Sequence, residues 1–258
     1  MRTAVARAVR ARALWPLPRG PAATVLGWHQ VNMGGSALAV HPETFSRQMD
    51  ILATERDRFL VASIDQVTAM LTDAQQHARY VVLTFDDAWA DNHAHVLGPL
   101  VRYQMPAMLY APSRLLGAPG YMTRTQLLEM AASGVTIGAH TRTHPNLRTC
   151  SANELEQEIL GSKQDLEDLV GKPVTSFAYP TGLLNDQVVA AVAAAGFTSA
   201  VTTRPGWWRP GTRPLQIPRA FAEDFSDATF RAAIRGGLNL KRQLQEIKRV
   251  VPAAGGRP

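Results

Sequence analysis

Two carboxylates stand side by side at the end of an apolar run, Asp86 and Asp87 in VVLTFDDAWADN, residues 81–92. Val81, Val82, Leu83 and Phe85 read as a buried strand, and a strand that ends in two like charges needs something to offset them. Farther along, IGAHTRTHPNL (137–147) carries His140 and His144. Neutral imidazoles with one carboxylate suit zinc, cobalt or nickel and leave coordination positions open for water and substrate. The second carboxylate is then available as a base toward water. On these residue types the two aspartates divide into a ligand and a base.

Each signal is weak by itself. Gly138 and Pro145 put the HxxxH in a loop rather than on a helix, and Thr141 and Arg142 stand where a zincin has its glutamate. Alone, such a pair fits chance or capping at least as well as a ligand role. A helix follows Asp86-Asp87, so an N-cap accounts for one carboxylate but not for both.

The elements that position these groups alternate. Strands are expected at TVLGWHQV (24–31), VVLTF (81–85), AMLYAP (107–112), VTIGA (135–139), SFAY (176–179) and SAVTT (199–203). Helical spacing runs through PETFSRQMDILATE (42–55), DNHAHVLGPLVRYQ (91–104) and NDQVVAAVAAAG (185–196). Thr123 with Gln126, and Ser151 with Glu154, are capping boxes that open two further helices; Gly134 and Gly171 end them. Alternation of this kind gives an α/β fold with mostly parallel strands. In parallel barrels functional groups gather at the C-terminal strand ends. His29, Asp86 with Asp87, His140, and Tyr179-Pro180 all fall at such ends, and their convergence says more than any one of them.

At this point TFDD, HTRTH and FAYPTG, in that order, resemble the polysaccharide deacetylases of carbohydrate esterase family 4, the NodB-homology domain. The resemblance runs from about residue 24 to 222, through phrases such as VLGWHQV, MTRTQLLEM, SKQDLEDLVG and AAGFTSAVTT. It implies a distorted (β/α)7-type barrel. By it, Asp87, His140 and His144 look like the metal ligands, with zinc the expected ion and cobalt or nickel as alternatives. Asp86 looks like the general base, Tyr179 like an oxyanion donor through its backbone N–H, and Pro180 like part of the groove wall. The chain departs from the pattern twice. Ala178 stands where many members have a base-orienting arginine, and Arg219 in LQIPRAF is a candidate substitute, a surface salt bridge being the alternative. No histidine follows His144. In a circularly permuted branch, which makes biofilm-type poly-N-acetylglucosamine deacetylases, the acid histidine precedes TFDD, and WHQV places His29 there; a buried structural histidine is the alternative. His41, His77, His93 and His95 are read as non-catalytic. Trp28, Trp89, Trp207 and Trp208 are candidates for sugar stacking, against core packing.

The implied function is metal-dependent removal of N-acetyl groups from an N-acetylhexosamine polymer, or from its lipid-linked precursor. An O-acetyl sugar esterase and an inactive carbohydrate-binding homologue are the competing readings. The charge balance bears on partners. Of the net +6 charge, residues 1–19 hold +5 and residues 231–258 hold +6, leaving −5 between. The expected domains are a basic extension at 1–22, a catalytic domain at 23–230, and a basic amphipathic helix and tail at 231–258. Leu240, Leu244, Ile247 and Val251 form an apolar face opposite Lys241, Arg242, Lys248 and Arg249, which suits peripheral contact with an anionic membrane. Docking on the barrel is the alternative, and no motif points to nucleic acid. One cysteine, Cys150, excludes an internal disulfide. Arg7, Arg10 and Arg12 interrupt any apolar run near the start, so no secretory signal is expected. The expected location is cytoplasmic or on the inner membrane face, with periplasmic as the alternative.

Overall fold

The computed structural model describes residues 20–72, 79–223 and 225–235. Among the described residues ten strands form: β1 (Ala22–Trp28), β2 (Gln30–Val31), β3 (Ala39–Val40), β4 (Leu60–Val61), β5 (Arg79–Asp86), β6 (Ala107–Ala111), β7 (Val135–Ala139), β8 (Ser176–Ala178), β9 (Ser199–Val201) and β10 (Ala220–Phe221). Seven lie in the order β10-β1-β5-β6-β7-β8-β9, all parallel, with β4 added beside β5. Val201 at the end of β9 bridges Ile217, three residues before β10 begins. The segment from Ile217 to Phe221 therefore touches both edges and curls the sheet into a distorted seven-stranded barrel.

Period-two alternation along β5 decides which residues line the barrel. Tyr80 and Val82 join Ala23, Val25, Met108, Tyr110, Ala178, Val201 and Ile217 in an inner cluster. Val81, Leu83 and Phe85 point the other way, into a larger cluster with Phe45, Met49, Leu127, Ile159 and other helix residues. Thr84 and Asp86 share the parity of Val82, so the polar end of β5 faces inward. Glycines make room there. A Cβ on Gly138 would lie 2.5 Å from the Tyr110 ring, and one on Gly27 would lie 2.7 Å from Phe221. Ile64, Val67 and Leu71 of the helix Ile64–Thr72, with Trp208, fill the N-terminal end.

Both expected capping boxes form, and Gly171 takes the left-handed conformation that ends its helix. The single helix expected at 91–104 is two, Ala90–His95 and Leu97–Tyr103. Pro99 has no N–H to give to the carbonyl of His95, which weakens the ladder at that point. The strand expected at 24–31 stops at Trp28; Gln30–Val31 pairs with β3 in a separate ribbon. Helix Asp227–Ile234 runs across the expected boundary at residue 230, and β1 begins inside the expected extension. The basic segments at 1–19 and 236–258, including the expected amphipathic helix, lie outside the described residues, as does His77. Among the described residues no helix is long and apolar enough to cross a membrane.

Candidate active site

The register of the sheet assembles the site. Trp28 lies opposite Phe85, so His29 and Asp86 follow side by side at the ends of β1 and β5. Asp86 pairs with Tyr110 on β6, and Tyr110 with Gly138 on β7, so His140 emerges just beyond the same level.

Ligand atoms of Asp87, His140 and His144 all lie within 4.8 Å of one another. One oxygen of Asp87 sits 3.4 Å from Nε2 of His140 and 3.5 Å from Nε2 of His144. These spacings are long for charge-assisted hydrogen bonds. They match the edges, about 3.4 Å, of a tetrahedron with arms of about 2.0–2.1 Å, the geometry zinc prefers with nitrogen and oxygen ligands. Nδ1 of His140 lies 2.7 Å from the carbonyl of Ala178. A carbonyl only accepts, so the proton is on Nδ1 and the Nε2 lone pair faces Asp87. Burial lowers the pKa of His144, and His140 adds to this, which favours the neutral, ligating imidazole. Burial pushes the Asp87 carboxyl up, but the imidazoles around it, His140 first, then His144 and His29, outweigh this and bring it down to about 2. The indole N–H of Trp89 donates to the other Asp87 oxygen at 3.0 Å. The donor set, its spacing and its protonation states all fit a divalent ion.

The backbone bends sharply here. Asp87, Ala88, Thr141, His144 and Thr181 have φ between 54° and 70°, and they make up five of the six non-glycine residues with positive φ among those described. Side chains at such angles are strained by about 1–3 kcal/mol each, and strain of this sort concentrates at functional sites.

Arg219 is wholly buried beneath Asp86. Its Nη1 and Nη2 donate to the two carboxylate oxygens, each at 2.6 Å. Nη1 also reaches Thr84 Oγ1 at 3.2 Å, and Nε reaches the carbonyl of Thr202 at 3.2 Å. The expected alternative of a surface salt bridge is excluded by this burial. Burial pushes the Asp86 carboxyl up, yet Arg219 and then His140 outweigh it and hold the group below its ordinary range. Asp86 is thus an ionised acceptor with a fixed orientation.

His29 is half-buried, its Nδ1 2.7 Å from Glu223 Oε1, and the same oxygen accepts the His29 backbone N–H at 3.1 Å. Its ring stacks on Phe221 with centroids 4.5 Å apart. Asn92 holds the His29 carbonyl at 2.8 Å. Burial lowers the His29 pKa, but Glu223, followed by Asp86 and Asp87, raises it more. Glu223 escaped sequence reading. It lies two residues past β10, a two-residue strand without a periodic signal; the strand-end rule finds it only once β10 is known.

Other expectations need correction. The backbone N–H of Tyr179 is directed at the carbonyl of Val201, 3.4 Å away in the sheet ladder, so it is not a free oxyanion donor here. The Tyr179 hydroxyl donates to the Leu215 carbonyl at 2.9 Å, and its ring packs on Phe177. Pro180 is buried at the start of a 3-10 turn, and the exposed residue of that turn is Thr181. Trp28 is core, wedged against Phe85 and Phe45 with its N–H on Gln48. Trp208 is buried and its backbone pairs with Ala23. Ala23 is five residues from the site end of β1, about 16 Å at the rise of a strand. Trp207 follows it there and lies between Arg79 and Arg209. Of these four tryptophans Trp89 alone, stacked on Tyr121 at 4.5 Å, lies beside the ligand set. His41 caps a helix and His93 pairs with Glu129.

Comparison with known proteins agrees with this architecture. Residues 73–200 match the family model described as polysaccharide deacetylase. YxkH of Bacillus subtilis (strain 168), a protein with a polysaccharide deacetylase name, is 28% identical over 183 residues, which cover 70% of this chain and 64% of that protein. The chain thus spans somewhat under two thirds of that relative's length. The deacetylase PplD of Streptococcus pyogenes, solved in complex with acetate, superposes with a TM-score of 0.72 at 25% identity, over 78% of this chain and 92% of that one. IcaB of Ammonifex degensii shares the fold, with a TM-score of 0.72 at 19% identity, over 84% of this chain and 96% of that one. Fold, sequence match and the composition of the strand-end cluster converge: residues 73–200 match the polysaccharide deacetylase model, and the fold around them is that of solved deacetylases.

Proposed function

We propose that the protein is a metal-dependent hydrolase that removes N-acetyl groups from N-acetylhexosamine units of a polysaccharide or its lipid-linked precursor, releasing acetate. The observation that carries this reading is the arrangement of a fixed carboxylate, Asp86 on Arg219, between a three-residue ligand set and a carboxylate-paired histidine. Asp87, His140 and His144 would hold the ion. When bound, it supplies a Lewis acid that polarises an acetyl carbonyl and makes water more acidic.

The chain's own groups handle the protons. Asp86 accepts one from the water that attacks the acetyl carbon. Arg219 keeps Asp86 ionised and aimed. His29, with Glu223 on Nδ1, carries its other proton on Nε2 and delivers it to the departing nitrogen. Water and amide become acetate and a free amino sugar. An amide nitrogen leaves well only once protonated, whereas an ester oxygen depends on this less. The carboxylate-backed acid therefore favours the amide over the ester. Trp89 on Tyr121 offers an aromatic face for a sugar ring. We assign the substrate to the biofilm or adhesin type because WHQV at the end of β1 resembles the permuted branch.

Parallel assays of acetate release from N-acetylglucosamine oligomers and from O-acetylated sugars test this. Wild type should act on the amide, and His29→Ala should cut that rate about 100-fold or more while sparing any ester activity. Ester activity alone, or an unchanged amide rate in His29→Ala, would overturn it.

A further inference from the structure

The HTRTH loop carries two of the three ligands in a conformation that its own residues do not favour. Thr141 and His144 both sit in the left-handed region, at φ 66° and 61°. Neither is glycine, and for the β-branched Thr141 the region is a genuine outlier. Within the loop only the Thr141 hydroxyl helps, accepting the His144 N–H at 2.9 Å.

Most of the side-chain support comes from one face of the helix Ala152–Val170. Glu158 Oε2 accepts the backbone N–H groups of Arg142 and Thr143, both at 2.9 Å, and Oε1 accepts the Thr143 hydroxyl at 2.8 Å. Asp165, seven residues on and so on the same face, takes the Arg142 guanidinium in a fork at 2.8 and 2.7 Å. The Ser113 hydroxyl donates to the same carboxylate at 2.7 Å. Between the two carboxylates lies Gly161, where a Cβ would stand 2.4 Å from Arg142 Cζ. The guanidinium thus lies flat on the helix through a gap that only glycine leaves. On the far side, the N–H groups of Ser113 and Arg114 hold the carbonyls of Thr141 and Arg142 at 3.1 and 3.0 Å.

We propose that Glu158 and the Arg142–Asp165 fork over Gly161 are positioning elements that hold the loop in its ligating conformation, so that metal affinity depends on a helix that makes no hydrogen bond to a ligand side chain. The inference rests on the reading of Asp87, His140 and His144 as metal ligands. The same helix supplies an internal control. Glu167 pairs with Lys163 at 2.7 Å and accepts the Val174 N–H at 2.9 Å, away from the loop.

Zinc affinity is measured on the full chain by competition with a chromogenic chelator, with circular dichroism and melting of the metal-free proteins alongside. Glu158→Gln should bind zinc about 10- to 100-fold more weakly, the usual cost of losing a supporting contact, with its melting temperature close to that of Glu167→Gln. Glu167→Gln should bind zinc like wild type. Gly161→Ala, which improves helix propensity but expels the guanidinium, should also bind more weakly, and it decides the matter if Glu158→Gln does not fold. Wild-type zinc affinity in the folded Glu158 and Gly161 variants overturns the clamp alone. No zinc binding by wild type overturns the ligand reading on which the clamp rests.

Discussion

Replacing Arg219 with methionine leaves the Asp86 carboxylate alone inside the barrel. Arg219 is 0% and Asp86 2% exposed, so water cannot replace the lost guanidinium. Breaking a buried pair at one partner costs about 3–5 kcal/mol. Methionine keeps much of the aliphatic stem, so most of that cost is the orphaned charge. The Thr202 carbonyl also loses its Nε donor, which places the expected loss at about 4–5 kcal/mol, within that range. Urea unfolding of the chelator-treated protein at pH 7 measures it without a metal contribution. The double variant Arg219→Met/Asp86→Leu should recover most of the loss, since replacing both members by apolar groups is near neutral. The sign with pH follows from the depressed Asp86 pKa. The pair's contribution is complete above the unfolded carboxylate value, about 3.9, and fades as pH falls through the lower folded one. A single-variant cost below about 1 kcal/mol, typical of surface pairs, refutes the reasoning. So does a double variant whose loss is the sum of the singles.

Glu223→Gln keeps an acceptor beside His29 but removes the charge that holds its pKa up against burial. The acid should then lose its proton at lower pH, moving the alkaline limb of the kcat profile down with KM little changed; an unmoved limb removes Glu223 from the acid's support. Trp208→Ala should cost about 3–5 kcal/mol in urea unfolding and leave KM for N-acetylglucosamine oligomers as it is. A raised KM at unchanged stability would return Trp208 to the sugar site.

Legibility in the sequence followed the range of the interaction. Asp86, Asp87, His140 and His144 stand at the ends of long apolar strands, where period and breaker residues define the edge locally. The capping boxes at Thr123 and Ser151 form for the same reason: both partners lie within four residues. Arg219 was legible as a candidate, but its burial depends on β10 meeting β1, more than 190 residues away in sequence (Leu26 pairs with Ala220). Glu223 needs that same pairing and was missed. The tryptophans misled because a Pro/Gly-flanked pair reads as an exposed loop, whereas backbone pairing with Ala23 fixes it at the opposite end of the barrel. The Tyr179 N–H was assigned by resemblance; its bond to Val201 is set by the β8–β9 register, which no local pattern records.

The most direct measurement is acetate release from N-acetylglucosamine oligomers by wild type and Asp86→Asn at equal, measured zinc content. The proposed mechanism has the wild type active and the variant slower by about 10²–10⁴-fold, with zinc bound equally well because the proposed ligands are Asp87, His140 and His144. A variant that releases acetate at the wild-type rate, or a wild type indifferent to metal removal, contradicts it.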